Sequence, residues 1–545
     1  MSHQVIIALW SAVIAGAVLG ILTEPEDTEV FDSNPDILRE QLVTWSNEFF
    51  SIGNHHGRLS QIEELTSDSS NNPASSNPYY SYAHESPSGI GGNSDSSGRY
   101  NTFRGRLHSA ASSPPATDLF EGAGAEHSRI NTRYHDVARS DVDGKPIIKE
   151  ENLEWMLQNI FMYPRNHNTN ETAKEIARKY IIDSLQVTSG LHTTAQHFQP
   201  LQFLSMYEGQ SVPTGTNIIG IIKGKEWGTP NDLITVVGAH WDTVNFTPGT
   251  NDNGSGVAAM LEAARAIAHS NCRPKYSIIF VAFDLEEVGS QGSLVFIKEY
   301  LMQILKSNFP DELGISRFQG AFIMDTIMNF NDTVGSQIFP TEWSLALPEV
   351  YDEIADNQHR GDFLSMIYRR DVDKKMASKF QYHWDKSTMD SRFKLSPFPL
   401  RLTAELPPME VLADHLNFLR SDHSRFWYMN DSAVPQTLSA VLMTDTGPYR
   451  GNMKHCYHSV CDGPEVSLYS NPRSLKFLSK ITQVLTDTLG DMSECQYDGN
   501  ANQNSHRSNF IKTNRVHARS SAFKHGSPLR NLFNFVRWMH TTGAR

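Results

Sequence analysis

The chain has 545 residues, of which 39% are hydrophobic and 20% are charged, so it can bury one large core or two ordinary ones. Its formal net charge is −14, and because residues 499–545 contain eight Lys and Arg but no Asp or Glu, the remainder is more acidic still. An acidic body disfavours nucleic acid as a partner. With four cysteines in all, the chain is not a small disulfide-rich scaffold.

The N-terminal region opens with a nearly uninterrupted apolar run over residues 5–22, after which the sequence turns acidic. Small residues at Ala15, Ala17 and Gly20 offer cleavage sites, so residues 1–22 are predicted to be a secretory signal peptide. The alternative is an uncleaved anchor, because the run has about the length that spans a bilayer. The protein is therefore predicted to be secreted or lumenal, or, if the run is retained, membrane-anchored with its main domain on the lumenal or extracellular side.

Three segments outside the main domain are predicted from composition. Residues 23–65 contain apolar residues at helical spacing, over about residues 37–52, and are predicted to form an N-terminal helical segment. Residues 66–146 are rich in Ser, Asn and Gly, with eleven serines in residues 67–97. Such sequence cannot bury enough apolar surface to offset its ordering entropy, so we expect a disordered insertion or linker. The basic residues 491–545 are likewise predicted to be a disordered tail.

Residues 147–490 alternate short β-branched runs with helical stretches. The predicted strands are residues 217–222, 233–238, 277–283, 321–325 and 440–444, and the predicted helices are residues 256–268 and 290–306. Because the runs are apolar on both faces, they suit a sheet covered on both sides, and the expected class is α/β with a mixed, largely parallel central sheet. Functional residues in such sheets gather at the carboxyl ends of the strands.

The segment GAHWDTVNFTPGTNDNGSG follows the second predicted strand and contains His240, Asp242 and Asp252. A neutral imidazole and a carboxylate are ordinary zinc ligands, and an Asp two residues beyond a ligating His can hold the ring through its second nitrogen. The glycines that follow let the backbone bring Asp252 close to another loop. His-x-Asp alone is a weak signal, since such residues in loops are usually just solvated.

The remaining candidate residues stand on later segments. IIFVAFDLEEVGSQGS runs an apolar strand almost directly into Glu286 and Glu287, which need cations or a protonated partner unless they form a solvated acidic turn. Asp325 follows four apolar residues, where an Asp is more often a ligand, cap or salt-bridge partner than a free charge. His458, in MKHCYHSVCDGPE, completes a set in which two metals could share a bridging carboxylate, an arrangement that fits two-metal hydrolysis.

In this order, the segments resemble peptidase family M28, the zinc aminopeptidase and glutamate carboxypeptidase family. Its members carry a GAHxD segment, a PGAxDNGSG loop, an apolar strand ending in an EE pair, a later Asp and a YHTxxD segment. The resemblance covers residues 147–490 and implies a phosphorylase/hydrolase-like three-layer sandwich with two zinc ions per chain. The zinc ligands it implies are His240, Asp252, Glu287, Asp325 and His458, with Asp252 bridging. It also implies that Glu286 is the general base and that Asp242 is a catalytic Asp that contacts a metal ligand rather than the metal itself.

The function that the resemblance implies is a zinc-dependent exopeptidase, which hydrolyses peptide substrates through a metal-bridging hydroxide. An aminopeptidase is expected from the frequency of that activity in the family, because the residues do not say which terminus is cut. One alternative is a glutaminyl cyclase-like enzyme with a single zinc on the same fold, which the intact His240 segment disfavours. The other is a non-catalytic ectodomain, which the presence of all five ligands disfavours.

Three further segments near the site carry expectations. LRSDHSRFW resembles the family's SDH segment, so Asp422 and His423 are expected to support the pocket, with a polar loop at the start of a helix as the alternative. Residues 329–420 show no clear pattern and are predicted to form a lid or pocket wall. Cys456 and Cys461 flank the last proposed ligand, and one disulfide could close their loop, although two ordinary thiols are the alternative.

Five N-glycosylation sequons occur in the chain. Those at Asn170, Asn331 and Asn430 stand in plausible surface settings, which agrees with a glycoprotein of the secretory pathway. Those at Asn245 and Asn253 fall beside the proposed metal ligands, where a glycan would obstruct the site. Both are therefore expected to be unmodified.

Overall fold

The computed structural model describes residues 144–168, 171–201, 212–307, 315–429 and 437–497. The predicted signal peptide, N-terminal helical segment and nearly all of the Ser-rich segment lie outside these residues, as does the tail from residue 498 onward. Within the described ranges, no helix has both the length and the apolar character needed to cross a membrane.

A sheet of eight strands organises the described part of the chain, and two short strands pair beside it. The strands are β1 (His192–Phe198), β2 (Gly215–Ile222), β3 (Ile234–His240), β4 (Cys272–Arg273), β5 (Ile278–Phe283), β6 (Phe318–Met324), β7 (Phe363–Arg369), β8 (Lys394–Leu400), β9 (Ala440–Thr444) and β10 (Gln496–Tyr497). The α-helices are α1 (Glu150–Asn159), α2 (Glu171–Asp183), α3 (Gly256–His269), α4 (Gln291–Phe296), α5 (Met302–Lys306), α6 (Thr341–Ala346), α7 (Pro348–Asp356), α8 (Lys374–Lys386), α9 (Met409–Ala413), α10 (His423–Trp427), α11 (Met453–Cys456) and α12 (Arg473–Met492).

The strand order is β1-β2-β5-β3-β6-β9-β7-β8, and the four central strands β5, β3, β6 and β9 run parallel. At one edge β1 and β2 continue the sheet in antiparallel fashion, and at the other β7 and β8 form a parallel pair that joins β9 antiparallel. The sheet is therefore mixed and mostly parallel, as the sequence predicts. All five predicted strands are confirmed to within three residues at each end, and the two predicted helices coincide with α3 and with α4–α5, which a π-helical turn joins.

Alternate side chains of the central strands enter two separate apolar cores, one on each face of the sheet. Val237 and Phe280 pack in one core with α1, α3 and α12, whereas their neighbours Val236 and Ile279 pack in the other with α4 and α10. Because successive residues of a strand point to opposite faces, both faces of the sheet are covered. The fold is thus a three-layer α/β sandwich.

The segment 329–420, predicted to be a lid or pocket wall, supplies two strands of the main sheet, so that prediction was wrong for β7 and β8. Two features explain why the sequence pattern did not predict these strands. β7 ends in Arg369, whose buried guanidinium pairs with Asp373 at 2.9 Å. β8 contains Pro397 and Pro399, which lack an N–H and are tolerated because β8 is an edge strand.

The folded unit extends beyond the predicted boundary at residue 490. α12 continues to Met492, and β10 pairs with β4, where Cys495 forms a disulfide with Cys272. The prediction of a disordered tail was therefore wrong for residues 491–497. A strand of two residues leaves no periodic pattern, and a disulfide partner 223 residues away cannot be read from spacing.

Candidate metal centre

The carboxyl ends of β3, β5 and β6 bring the predicted residues to one edge of the sheet. His240 is the last residue of β3, and its Nδ1 lies 3.5 Å from Oδ1 of Asp242. The Asp242 carboxylate also accepts the backbone N–H groups of Glu286 at 3.1 Å and Glu287 at 3.3 Å. Asp242 thereby ties the loop after β3 to the turn after β5, while Asp325 directly follows β6.

The loop between β3 and α3 presents Asp252 to the same edge. Gly249 adopts a positive φ of 65°, and a Cβ there would lie 2.3 Å from the carbonyl oxygen of Asp252, so the tight approach needs glycine. The N–H groups of Asn251 and Asp252 each donate to the Asp462 carboxylate at 2.9 Å. Asp462 thus fixes the backbone that carries Asp252, although burial raises its own pKa to about 7.

His458 reaches the centre from the loop after β9. The structure contains a disulfide between Cys456 and Cys461 that closes this loop, which is the pairing that their spacing favoured. The ring of Tyr457 stacks on the imidazole of His458 at a centroid distance of 3.9 Å. The guanidinium of Arg420 lies 5.8 Å from the Tyr457 ring. These contacts hold His458 toward the carboxylates.

Asp252 stands between two groups of side chains. Its Oδ1 lies 3.2 Å from Nε2 of His240, which is also 3.6 Å from Oδ1 of Asp325. Its Oδ2 lies 3.2 Å from Nε2 of His458, which is also 3.3 Å from Oε2 of Glu287. In each of these two groups, one donor atom from each residue lies within 4.8 Å of the others, as cation ligands must. A third, overlapping group joins His240, Glu286 and Glu287.

The donor set fits metal cations. Asp252 Oδ2 and Glu287 Oε1 are buried and lack a well-directed hydrogen bond. Burial raises the pKa of Glu287 well above its ordinary range, and the charge of Asp252 raises it further. Burial also raises the pKa of Glu286, where the charge of Glu287 adds to the effect. Cations would offset this concentration of buried negative charge, and imidazole with carboxylate is a ligand combination that zinc accepts.

Three non-glycine residues with left-handed backbone adjoin or belong to the centre. Leu285 precedes the two glutamates with a φ of 57°, Thr326 follows Asp325 with a φ of 50°, and His458 itself has a φ of 54°. Such conformations cost free energy and persist where the surrounding structure fixes them, commonly at functional sites. The sequence gives no signal for these three positions.

Asp422 and His423 take different positions. Asp422 is fully buried, and burial raises its pKa to about 7, with the charges of His240, Asp242 and Asp325 also acting on it. His423 instead contacts the carbonyl of Phe418 at 2.8 Å, and burial lowers its pKa to about 3. The structure therefore brings Asp422 near the charges of the centre, whereas the buried His423 ring bonds to the Phe418 carbonyl and packs against the Trp427 ring.

The two sequons beside the centre also differ. The side chain of Asn253 is buried, donates to the Met324 carbonyl at 2.7 Å and accepts the Gly256 N–H at 3.1 Å. A glycan there would require this part of the fold to open, which supports the expectation that Asn253 is unmodified. Asn245 is exposed and Asn331 half-buried, while Asn170 and Asn430 lie outside the described residues.

Arg165 is a supporting residue that the sequence did not reveal. It is fully buried, and its guanidinium donates to the backbone carbonyls of Trp241, Pro248 and Gly249 at 2.8, 2.8 and 2.9 Å, and to that of Tyr163 at 3.0 Å. Burial lowers its pKa to about 10, while nearby acidic groups act in the opposite direction. Through these hydrogen bonds, Arg165 fixes the backbone of the loop between His240 and Asp252.

We expect Arg165→Met to lower the free energy of unfolding by at least about 3 kcal/mol, because it leaves several buried carbonyls without a donor. Denaturant titration measures this change. Arg178→Met is the matched control, since Arg178 pairs with Glu175 on the surface and its loss should cost no more than about 1 kcal/mol. Equal losses of stability in the two variants would contradict the role of Arg165 in fixing this loop.

Comparison with known proteins gives a match to one family model and relatives that align with part of this chain. Residues 217–360 match the model of peptidase family M28. Aminopeptidase YwaD of Bacillus subtilis (strain 168) is 43% identical over 146 residues, which are 27% of this chain and 26% of that protein. The uncharacterized protein YfbL of Escherichia coli (strain K12) is 24% identical over 325 residues, which are 56% of this chain and 78% of that protein.

Among solved structures, BSAP, a zinc aminopeptidase from Bacillus subtilis, aligns with a TM-score of 0.42 at 15% identity. The alignment covers 64% of this chain and 96% of that one. Of the two relatives compared by sequence, this chain spans about a quarter of the length of YwaD and somewhat over three quarters of the length of YfbL.

Proposed function

Because residues 217–360 of this chain belong to peptidase family M28, we propose that the protein is a zinc-dependent exopeptidase, most simply an aminopeptidase, with two zinc ions per chain. The observation that carries the proposal is the position of Asp252. Each of its carboxylate oxygens faces a different histidine, at 3.2 Å in both cases. A carboxylate shared between two ligand groups fits a two-metal hydrolytic site.

The proposed ligands divide evenly between the two ions. His240, Asp252 and Asp325 would hold one ion, and Asp252, Glu287 and His458 would hold the other. Zinc bound there would supply Lewis-acid chemistry, lowering the pKa of a water molecule and polarising the scissile carbonyl. Asp242 would set the orientation of the His240 ring through Nδ1.

Glu286 is the proposed general base. Its Oε1 accepts a hydrogen bond from the Ser290 hydroxyl at 3.3 Å, and its carbonyl accepts the N–H groups of Gly289 and Ser290 at 2.8 and 2.7 Å. With Asp242 holding its own N–H, both its backbone groups are fixed. A carboxylate oxygen of Glu286 would take the proton of the attacking water and later pass it to the leaving amine.

The choice of an aminopeptidase and of a secretory location rests on separate observations. The similarity to YwaD favours an aminopeptidase, since that relative carries the name. The pairings Cys272–Cys495 and Cys456–Cys461 favour an oxidising compartment, as does the apolar N-terminal run. We therefore propose that the protein acts in the secretory pathway or outside the cell.

Metal analysis of the purified protein, with a panel of aminoacyl, γ-linked and N-terminal Gln substrates, tests the proposal. We expect close to two zinc ions per chain and release of N-terminal residues. Saturation at one zinc with cyclisation of N-terminal Gln would favour the cyclase alternative. Two bound zinc ions with no turnover across the panel would favour a non-catalytic ectodomain.

A further inference from the structure

The turn that carries Glu286, which we call the base turn, comprises residues 285–290 and is sharply bent. Leu285 and Ser290, at its two ends, both adopt left-handed backbone, with φ values of 57° and 51°. Between them, the Glu286 carbonyl accepts the N–H groups of Gly289 and Ser290 at 2.8 and 2.7 Å. Left-handed conformations cost free energy for residues other than glycine, so contacts from outside the base turn must maintain its shape.

Arg425, on α10, supplies such a contact from the protein interior. Its side chain is fully buried, and its guanidinium donates a hydrogen bond to the Gly289 carbonyl at 2.5 Å. Burial lowers the pKa of Arg425 to about 9, while the charges of Asp422 and Glu286 act in the opposite direction. Arg425 is therefore protonated at neutral pH, and a charged donor makes a stronger hydrogen bond than a neutral one.

The helix that carries Arg425 is itself attached to the central sheet. The Trp427 indole N–H donates to the carbonyl of Ala440 in β9 at 2.9 Å, and the Phe426 ring stacks on the ring of Phe318 in β6 at a centroid distance of 6.2 Å. β6 and β9 are neighbouring parallel strands in the middle of the sheet. Arg425 therefore connects the base turn to two central strands.

We propose that Arg425 is a positioning residue for hydrolysis, which keeps the Glu286 carboxylate in the orientation from which it takes the proton of the attacking water. This inference rests on the proposed peptidase function and on the role of Glu286 as its general base. Proton transfer depends steeply on position, and a misplacement of about 1 Å can cost on the order of 10²-fold in rate. Loss of the contact with Gly289 should therefore slow the reaction.

The effect should fall on Glu286 rather than on zinc binding. Glu287 lies in the same turn, but its Oε2 is 3.3 Å from Nε2 of His458, so a zinc ion bound between the two would hold Glu287 in place. Glu286, as a base, would have no such bond to the metal. At saturating zinc, a variant of Arg425 should keep both ions and lose rate.

Arg425→Met is the test variant, because Met fills much of the space of Arg but has no donor. Arg317→Met is the matched control, since Arg317 is 2% exposed and also donates to backbone carbonyls, those of Ile304 and Leu305, at 3.1 Å each. Arg317 directly precedes β6, whereas Asp325 of the centre follows that strand. Both substitutions should lower the melting temperature, because each leaves a buried carbonyl without its donor. Arg425→Lys keeps a charged donor and provides a second variant if Arg425→Met does not fold.

Steady-state rates at saturating zinc give the first measurement. We expect Arg425→Met to lower kcat on the order of 10- to 100-fold and to leave KM within about twofold of wild type. Arg425→Lys should recover part of the loss, and Arg317→Met should keep the wild-type kcat. In a Glu286→Gln background, Arg425→Met should lower kcat by no more than about twofold further, because a positioning residue acts through the group that it places.

Hydrogen exchange, measured by mass spectrometry on fragments that cover residues 284–291, gives a measurement that does not depend on activity. The Gly289 and Ser290 N–H groups should exchange faster in Arg425→Met than in wild type, because the turn that pairs them with the Glu286 carbonyl opens more often. Exchange in this segment should not change in Arg317→Met.

An unchanged kcat in Arg425→Met, or a loss that persists in full in the Glu286→Gln background, would overturn the positioning role and leave the peptidase proposal intact. A wild-type protein that hydrolyses no substrate would overturn the peptidase proposal, and exchange would then decide the contribution of Arg425. Faster exchange in Arg425→Met would uphold Arg425 as the residue that fixes the base turn, and unchanged exchange would overturn it.

Discussion

Replacing Glu286 with Gln should lower kcat for peptide hydrolysis by a factor on the order of 10²–10⁴, while the zinc content stays at the wild-type level. Gln keeps the size and shape of Glu but has no carboxylate to take a proton from the attacking water. The Ser290 hydroxyl, which donates to Oε1 at 3.3 Å, can donate equally to an amide oxygen, so the side chain should keep its position. Single-turnover and steady-state rates, measured with metal analysis on the same preparation, test this expectation.

Glu287→Gln is the matched comparison, because the two glutamates are adjacent and both donate their N–H groups to Asp242. Glu287 alone of the pair lies against His458, with Oε2 3.3 Å from Nε2. Its substitution removes a charged ligand, so zinc affinity should fall together with activity, and added zinc should restore part of the rate. Added zinc should restore nothing in Glu286→Gln.

The alternative group of His240, Glu286 and Glu287 would make Glu286 a ligand as well. In that case Glu286→Gln would lose zinc and would respond to added metal as Glu287→Gln does. Wild-type turnover by Glu286→Gln would contradict the role of base, and unchanged zinc affinity in Glu287→Gln would contradict the role of ligand. Each substitution therefore tests one role independently of the other.

The central strands could be predicted because burial on both faces leaves a continuous apolar run. The predicted runs 233–238, 277–283 and 321–325 become β3, β5 and β6, three neighbouring strands of the sheet. Since these strands are parallel, their carboxyl ends meet at one edge, and polar residues placed after each run come together there. Local pattern thus predicted both the central sheet and the gathering of the candidate residues.

The parts that escaped prediction depend on contacts between residues far apart in the chain. Arg165 donates to carbonyls more than 70 positions away, and Asp462 accepts the N–H of Asp252 across 210 positions. Neither residue belongs to a periodic pattern, because a buried Arg or Asp is favourable only where the folded backbone offers partners. β8 was missed for a different reason, since Pro397 and Pro399 suit an edge strand but read as interruptions in sequence.

Replacing Asp252 with Ala should remove both zinc ions, whereas replacing Asp325 with Ala should affect one. Asp252 directs Oδ1 to His240 and Oδ2 to His458, while Asp325 contacts His240 alone of the two histidines. Losing an outer hydrogen-bond partner of a ligand already costs roughly 10–100-fold in metal affinity, and losing a shared ligand should cost more at both ions. Zinc per chain, measured after equilibration at a buffered free zinc concentration, gives the comparison.

The fold of Asp252→Ala should survive, because the interaction that places residue 252 is its backbone N–H to Asp462 at 2.9 Å, which Ala retains. Asp371→Ala is the control, since Asp371 is 77% exposed and pairs with Arg370 on the surface. Zinc binding stabilises the folded state by mass action, so added zinc should raise the melting temperature of wild type and of the control but not of Asp252→Ala. If Asp252→Ala instead kept one zinc at wild-type affinity, the two ligand groups would be independent, and Asp252 would belong to one ion rather than join the two.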